Sequence, residues 1–142
     1  PWATFEQKKA ADGTRTFDQH PIAQDFSTKN AGGVVFSESH AARFVDMNGD
    51  KIPDMVTGKR YWSELENLNG PDPYGAPVLY IYRVVRNPKA PGGAEFVPEL
   101  IHNRSGVGSS FDVVDLNKDG KPDIVTATVF GTFAFLSKPV GR

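Results

Sequence analysis

A nine-residue acidic stretch occurs twice in this chain, and it constrains the fold more than any other feature. Asp46-Met47-Asn48-Gly49-Asp50-Lys51-Ile52-Pro53-Asp54 returns 69 residues later as Asp115-Leu116-Asn117-Lys118-Asp119-Gly120-Lys121-Pro122-Asp123. Both copies read D-x-N-x-D-x-x-P-D. Each follows an apolar pair (Phe44-Val45; Val113-Val114), and each runs into an apolar residue and then Val-Thr (Met55-Val56-Thr57; Ile124-Val125-Thr126). Short β-branched runs flanking an Asp/Asn/Gly turn predict two strands joined by a loop, and neither flank carries a helical period.

Carboxylate and amide oxygens at loop positions 1, 3 and 5 are also the ligand pattern of the first half of an EF-hand loop. Asp46, Asn48 and Asp50 hold those positions in the first copy, and Asp115, Asn117 and Asp119 in the second. Position 7 (Ile52, Lys121) would contribute its backbone carbonyl, so its side chain can vary. Position 9 adds Asp54 or Asp123. Such an all-oxygen, flexible set suits Ca²⁺ better than Mg²⁺, which keeps its waters, and is wrong for Zn²⁺. Position 12, where an EF-hand needs a bidentate Glu, holds Thr57 or Thr126. The expectation is therefore two Ca²⁺ sites in EF-hand-like loops between strands. The alternative is a pair of acidic hairpin turns without an ion, in which three close carboxylates would repel one another.

The two segments resemble FG-GAP/VCBS-type repeats, the calcium-loop blades of integrin-like β-propellers. The likeness is specific in the loops and the strands beside them. Weaker resemblance covers Phe36-Ser37-Glu38-Ser39-His40-Ala41, Thr57-Gly58-Lys59-Arg60-Tyr61-Trp62 and Phe96-Val97-Pro98-Glu99-Leu100-Ile101. These are similar to a bacterial VCBS-repeat group, some members of which resemble the propeller of aldos-2-ulose dehydratase. The resemblance implies an all-β fold of propeller blades with structural calcium.

The rest of the chain repeats in the same order. If the strand before each acidic loop is A and the one after it B, an aromatic strand C and a return strand D follow. Trp2–Phe5, Leu79–Tyr82 and Phe133–Leu136 are the C strands; Phe17–Ile22 and Phe96–Ile101 are the D strands. The chain then reads C-D, A-B-C-D, A-B-C: a partial β-propeller of about two blades plus a split one. The expected divisions of this single module are 1–33, 34–102 and 103–142. His20-Pro21 is expected to end the first return strand and Pro98 to interrupt the second, because proline cannot donate to a ladder. Residues 63–77 form a long loop, of the kind that is usually functional or inserted. No amphipathic helix is predicted.

Two blades and a fragment cannot close a ring, and open sheet edges are sticky. The expected partners are therefore the remaining blades of a larger propeller, or other copies of the chain in a ring or filament built by strand exchange. The 142 residues suffice for a real core, and a net charge of −1 leaves no footprint for nucleic acid. There is no cysteine, so disulfides and thiolate chemistry are excluded. No transmembrane run is present. A first residue other than Met suggests a processed or cut chain. Because millimolar Ca²⁺ is found outside cells, an extracellular, cell-surface or periplasmic location is expected.

One further cluster belongs to the first repeat alone. His40 follows Ser37 and Glu38, and Lys59, Arg60, Tyr61 and Trp62 follow strand B. An imidazole, cations and aromatic faces at strand ends would suit a glycan. In a sugar lyase, Glu38, His40 and Lys59 would be the catalytic candidates. The plainer alternative is a surface Lys-Arg pair with a packed Trp and a hydrogen-bonding His. No zinc, nucleotide or serine-hydrolase motif is present. The leading expectation is a non-catalytic, calcium-stabilised module for binding or assembly, with an enzyme fragment or a lectin-like module as the rivals.

Overall fold

A computed structural model describes residues 2–23, 31–60 and 74–138. The architecture is all-β, with three antiparallel sheets in chain order. A hairpin pairs β1 (Trp2–Lys9) with β2 (Arg15–Ala23). A four-stranded sheet follows in the order β3 (Ser39–Val45), β4 (Asp54–Lys59), β5 (Leu79–Arg86), β6 (Ala94–His102). A three-stranded sheet closes the described chain with β7 (Phe111–Val114), β8 (Asp123–Thr128) and β9 (Gly131–Phe135). The meander A-B-C-D, preceded by C-D and followed by A-B-C, is that of a partial propeller. The helical structure described is two short 3-10 turns, Ala31–Gly33 and Pro91–Gly93.

The internal repeat extends to strand register. In the four-stranded sheet Met55 pairs with Tyr82, and in the three-stranded sheet Ile124 pairs with Phe135. Both C-D pairings are irregular at the corresponding place, between Trp2 and Ala3 in the hairpin and between Leu79 and Tyr80 in the full sheet. Trp2 thus corresponds to Leu79, and Phe5 to Tyr82.

Alternation sends successive side chains to opposite faces of a sheet. One face of the four-stranded sheet presents Val56, Leu79, Ile81 and Ile101. These residues pack against Val107, Phe111, Ile124 and Phe135, forming the core between the second and third sheets. The other face presents Met55, Tyr80, Tyr82 and Phe96, covered by Ala31, Val34 and Phe36. Tyr80 stacks on Phe36 with ring centroids 5.7 Å apart. Because the central strand β4 is covered on both sides, every one of its residues is buried.

Both return strands run through their prolines, contrary to expectation. β2 continues past His20-Pro21 to Ala23, with Pro21 opposite Ala3. β6 is unbroken across Pro98, which faces Tyr82. The reason is position: β2 and β6 are outermost strands, where a missing N–H can be turned away from the ladder.

Gly58 lies where β4 meets the segment before β5. A Cβ there would sit 2.1 Å from the Val78 carbonyl oxygen and 3.0 Å from Val107. The obstacle is backbone, so Gly58→Ala must displace the strand. A loss of about 2–3 kcal/mol is expected from such overpacking, read as a lower urea midpoint at unchanged slope.

Candidate functional site

The two acidic loops connect β3 to β4 and β7 to β8, and each is organised by its first aspartate. Asp46 Oδ1 accepts the N–H groups of Gly49 (2.7 Å) and Asp50 (3.1 Å), and its Oδ2 accepts that of Lys51 (2.7 Å). In the second loop Asp115 Oδ1 accepts the Asp119 N–H (3.0 Å) and Oδ2 that of Gly120 (2.8 Å). A single carboxylate thereby gathers backbone donors that a tight turn leaves without strand partners. Desolvation in the turn raises the Asp46 pKa, but the N–H groups of Lys51, Gly49, Asn48 and Asp50 outweigh it and hold the carboxyl below the ordinary aspartate value.

Positions 3 and 5 are drawn together in both loops. Asn48 Oδ1 accepts the Asp50 N–H (2.9 Å) while Asn48 Nδ2 donates to Asp50 Oδ2 (3.0 Å). Asn117 and Asp119 make the same pair at 3.0 and 3.1 Å. At position 7, the Ile52 N–H donates to Asp50 Oδ1 (2.7 Å) and the Lys121 N–H to Asp119 Oδ1 (3.0 Å).

The backbone follows one track in both loops, although the residues differ. Positions 4 and 6 are left-handed in each: Gly49 (φ 83°) and Lys51 (φ 69°) in the first loop, Lys118 (φ 61°) and Gly120 (φ 83°) in the second. Glycine takes this conformation at little cost, whereas lysine is strained in it. The order of glycine and lysine is exchanged between the loops, and the conformation persists.

Position 9 is set apart from the other carboxylates. Asp54 and Asp123 are fully buried. Asp54 Oδ2 accepts the Met47 N–H (3.2 Å) and Arg83 Nη1 (2.8 Å), and its Oδ1 accepts the Val84 N–H (3.0 Å). Asp123 Oδ2 accepts the Leu116 N–H (3.0 Å) and its Oδ1 that of Ser137 (2.8 Å). These carboxylates tie the loop to the third strand. With position 9 withdrawn, no three His, Cys, Asp or Glu side chains cluster as metal ligands among the described residues.

The donor set left at each loop still fits a hard cation. Asp46 Oδ2, Asn48 Oδ1 and both Asp50 side-chain oxygens each accept one hydrogen bond, as do the side-chain oxygens of Asp115, Asn117 and Asp119. An oxygen has room for a second partner, so each loop presents several open lone pairs, all on oxygen.

The residues of the first-repeat cluster do not meet at one point. Lys59 is fully buried and its Nζ donates to Ser37 Oγ at 2.9 Å. It shares the sheet face of Met55 and Thr57. His40 is exposed and reaches in the other direction, its Nδ1 lying 3.3 Å from the Ser109 carbonyl, in the segment that leads into β7. Glu38 has a left-handed backbone (φ 59°), and its carbonyl accepts the Arg60 N–H at 2.8 Å. Tyr61 and Trp62 lie outside the described residues, as do positions 63–73 of the long loop.

Arg83, Val84 and Ser137 are the site residues that sequence reasoning missed. Arg83 also binds Glu99, with Nε and Nη2 at 3.0 and 2.9 Å from Oε2. Its only sequence signal is a charged residue in the middle of the most apolar strand, at a place where the third sheet has Leu136.

A four-stranded and a three-stranded antiparallel meander, packed face to face and each with an acidic loop between its first two strands, define the chain as a β-propeller-type module. Residues 107–134 match the FG-GAP repeat family, and the chain carries a repeat of that class. No curated protein and no solved structure matches it.

Lys51→Gly and Lys118→Gly should each stabilise the protein. Relief of left-handed strain, about 1–2 kcal/mol, exceeds the added entropy of the unfolded chain, about 0.4–1 kcal/mol. A rise in Tm for each, additive in the double variant, is the expected result. Stability should also fall in acid through Asp46. Its lowered native pKa supplies stability above the unfolded value of roughly 3.9, and this is lost as pH falls through the lower native value. Asp46→Asn should flatten that limb of a Tm-against-pH curve.

Proposed function

We propose that the chain is a calcium-stabilised, non-catalytic propeller module that works by binding or assembly. The observation that carries this reading is the recurrence of one loop geometry at both turns. The same oxygen pairings and the same two left-handed residues are built from different sequences. A turn needing only to reverse the chain would not have to keep them.

Asp46, Asn48 and Asp50 would hold one ion with the Ile52 carbonyl, and Asp115, Asn117, Asp119 and the Lys121 carbonyl the other. Asp54 and Asp123, expected from the spacing as further ligands, would instead brace the loops from the buried side. A divalent cation would offset the repulsion within each loop and stabilise the native state by mass action. Sites of this kind work in roughly the 10⁻⁴–10⁻³ M range in extracellular modules, which favours an exported protein. No described helix is long and apolar enough to cross a membrane.

The outward faces support assembly with further blades. Phe5 and Phe17 of the β1–β2 hairpin are each 60 % exposed, on the face corresponding to that of Tyr82 in the full sheet. Flanking blades or a further copy of the chain would cover them.

Calorimetric titration with Ca²⁺ should find two ions per chain, and Asp119→Ala should remove one. Chelation should lower Tm. A Tm indifferent to both Ca²⁺ and chelator would overturn the reading.

A further inference from the structure

We propose that His40 and Arg43, with Ser109 and Ser110 across the seam between the second and third sheets, form a binding site for a hydroxy acid of the sugar-acid type. This gives the binding reading a ligand and rests on that reading, independently of calcium. The seam is shaped by an irregularity in β3. Between the Ser39–Lys59 and Ala42–Thr57 pairs, β3 has one residue more than β4. The extra residue makes a β-bulge, which re-aims side chains. Strict alternation would send His40 and Arg43 to opposite faces. With the bulge, both turn to the segment that leads into β7. His40 Nδ1 lies 3.3 Å from the Ser109 carbonyl, and Arg43 Nη2 donates to Ser110 Oγ at 3.3 Å. The corresponding places in the second repeat hold Ser109 and Asp112, so that repeat does not carry the pair.

The chemistry of the cluster selects its ligand. Arg43 is half-buried, and its Cζ lies 5.3 Å from the centroid of the Phe111 ring. The guanidinium donates to the Ala42 carbonyl (3.1 Å) and to Ser110 Oγ, which leaves most of its N–H groups open. Among the described residues no carboxylate pairs with it. A guanidinium held in place and lacking a counter-charge suits a carboxylate taken by its planar fork. His40 has the opposite need. A carbonyl oxygen can only accept, so Nδ1 carries the proton, and Nε2 of the neutral ring presents a lone pair. That atom accepts from a hydroxyl. Ser110 Oγ accepts from Arg43 and keeps its own proton to donate, and the exposed Ser109 adds a second hydroxyl. A carboxylate with hydroxyl groups beside it serves all four side chains. A plain carboxylate leaves His40 unused, and a neutral sugar leaves Arg43 without a counter-charge.

An amide NMR titration of the full chain with D-glucuronate reads the site directly. Shifts should concentrate at residues 40–43 and 109–111. Acetate and D-glucose, each with half of the recognised chemistry, should bind about tenfold more weakly. Arg43→Lys keeps the charge but loses the fork, and should weaken glucuronate about tenfold while Tm changes little. His40→Ala removes the acceptor for the hydroxyl and should weaken it about fivefold. His40 is exposed, so this second protein gives the test should the first fail to fold. No shift at the seam, or an affinity unchanged by both substitutions, overturns the inference. Shifts confined to the acidic loops overturn it as well, since the acid is then held there. Acetate binding as tightly as glucuronate overturns the hydroxy-acid assignment. Calcium titration of the same protein keeps the two readings apart: a chain that takes up Ca²⁺ but no glucuronate overturns this inference alone.

Discussion

Each repeat depends on one buried carboxylate. Asp54 and Asp123 lie at the start of the second strand, where solvent cannot reach them. A buried charge without partners costs several kcal/mol, so the surrounding backbone must supply donors. It does so from two directions: the second residue of the acidic loop, and an N–H within the third strand (Val84) or two residues past its end (Ser137). That requirement joins loop, second strand and third strand into one unit. The hydrogen bonds gathered by Asp46 and Asp115 shape the loop itself, but the position-9 carboxylate decides where the loop sits on its sheet.

Packing between sheets then follows from alternation. β4 lies inside its sheet and has a sheet or a covering segment on each face, so both sets of its side chains are buried. One set meets the third sheet through Val56, and the other meets the Phe36 segment through Met55. Polar residues caught in this strand must be paired within it. Thr57 Oγ1 donates to the Ala41 carbonyl at 2.8 Å, and Lys59 reaches Ser37. Thr57 Oγ1 also lies 3.1 Å from Ser39 Oγ; in the third sheet Gly108 takes the place of Ser39, and Thr126 Oγ1 is buried without a hydrogen-bond partner among the described residues. The two repeats share a scaffold and differ in how they satisfy it.

The sites split in the same manner. The loops are nearly superimposable in hydrogen bonding despite different residues at positions 2, 4, 6 and 7. The chemistry around them is not shared. Arg83 and Glu99 stand beside the first loop, and Leu136 replaces the arginine beside the second. His40 and Lys59 leave adjacent stretches of backbone for opposite faces, one toward Ser109 and the other toward Ser37. Their closeness in the sequence pattern therefore does not make a common site.

What the sequence determined by itself was everything that depends on short-range order. The D-x-N-x-D-x-x-P-D spacing specified a turn, because neighbouring oxygens must meet neighbouring N–H groups whatever surrounds them. Period-two alternation specified the strands, and the order of aromatic and acidic segments specified the sequence of sheets. Pro21 and Pro98 misled as strand terminators, since proline's effect depends on whether a strand is central or outermost, and the local sequence does not carry that. Tertiary structure alone decided which carboxylate would be buried, that Asp54 would face an arginine 29 residues away, and that His40 and Lys59 would part. Each is a contact between segments whose separation in sequence holds no information about their distance in space. Burial, which sets the strength of every charge in the molecule, exists only once the sheets have packed.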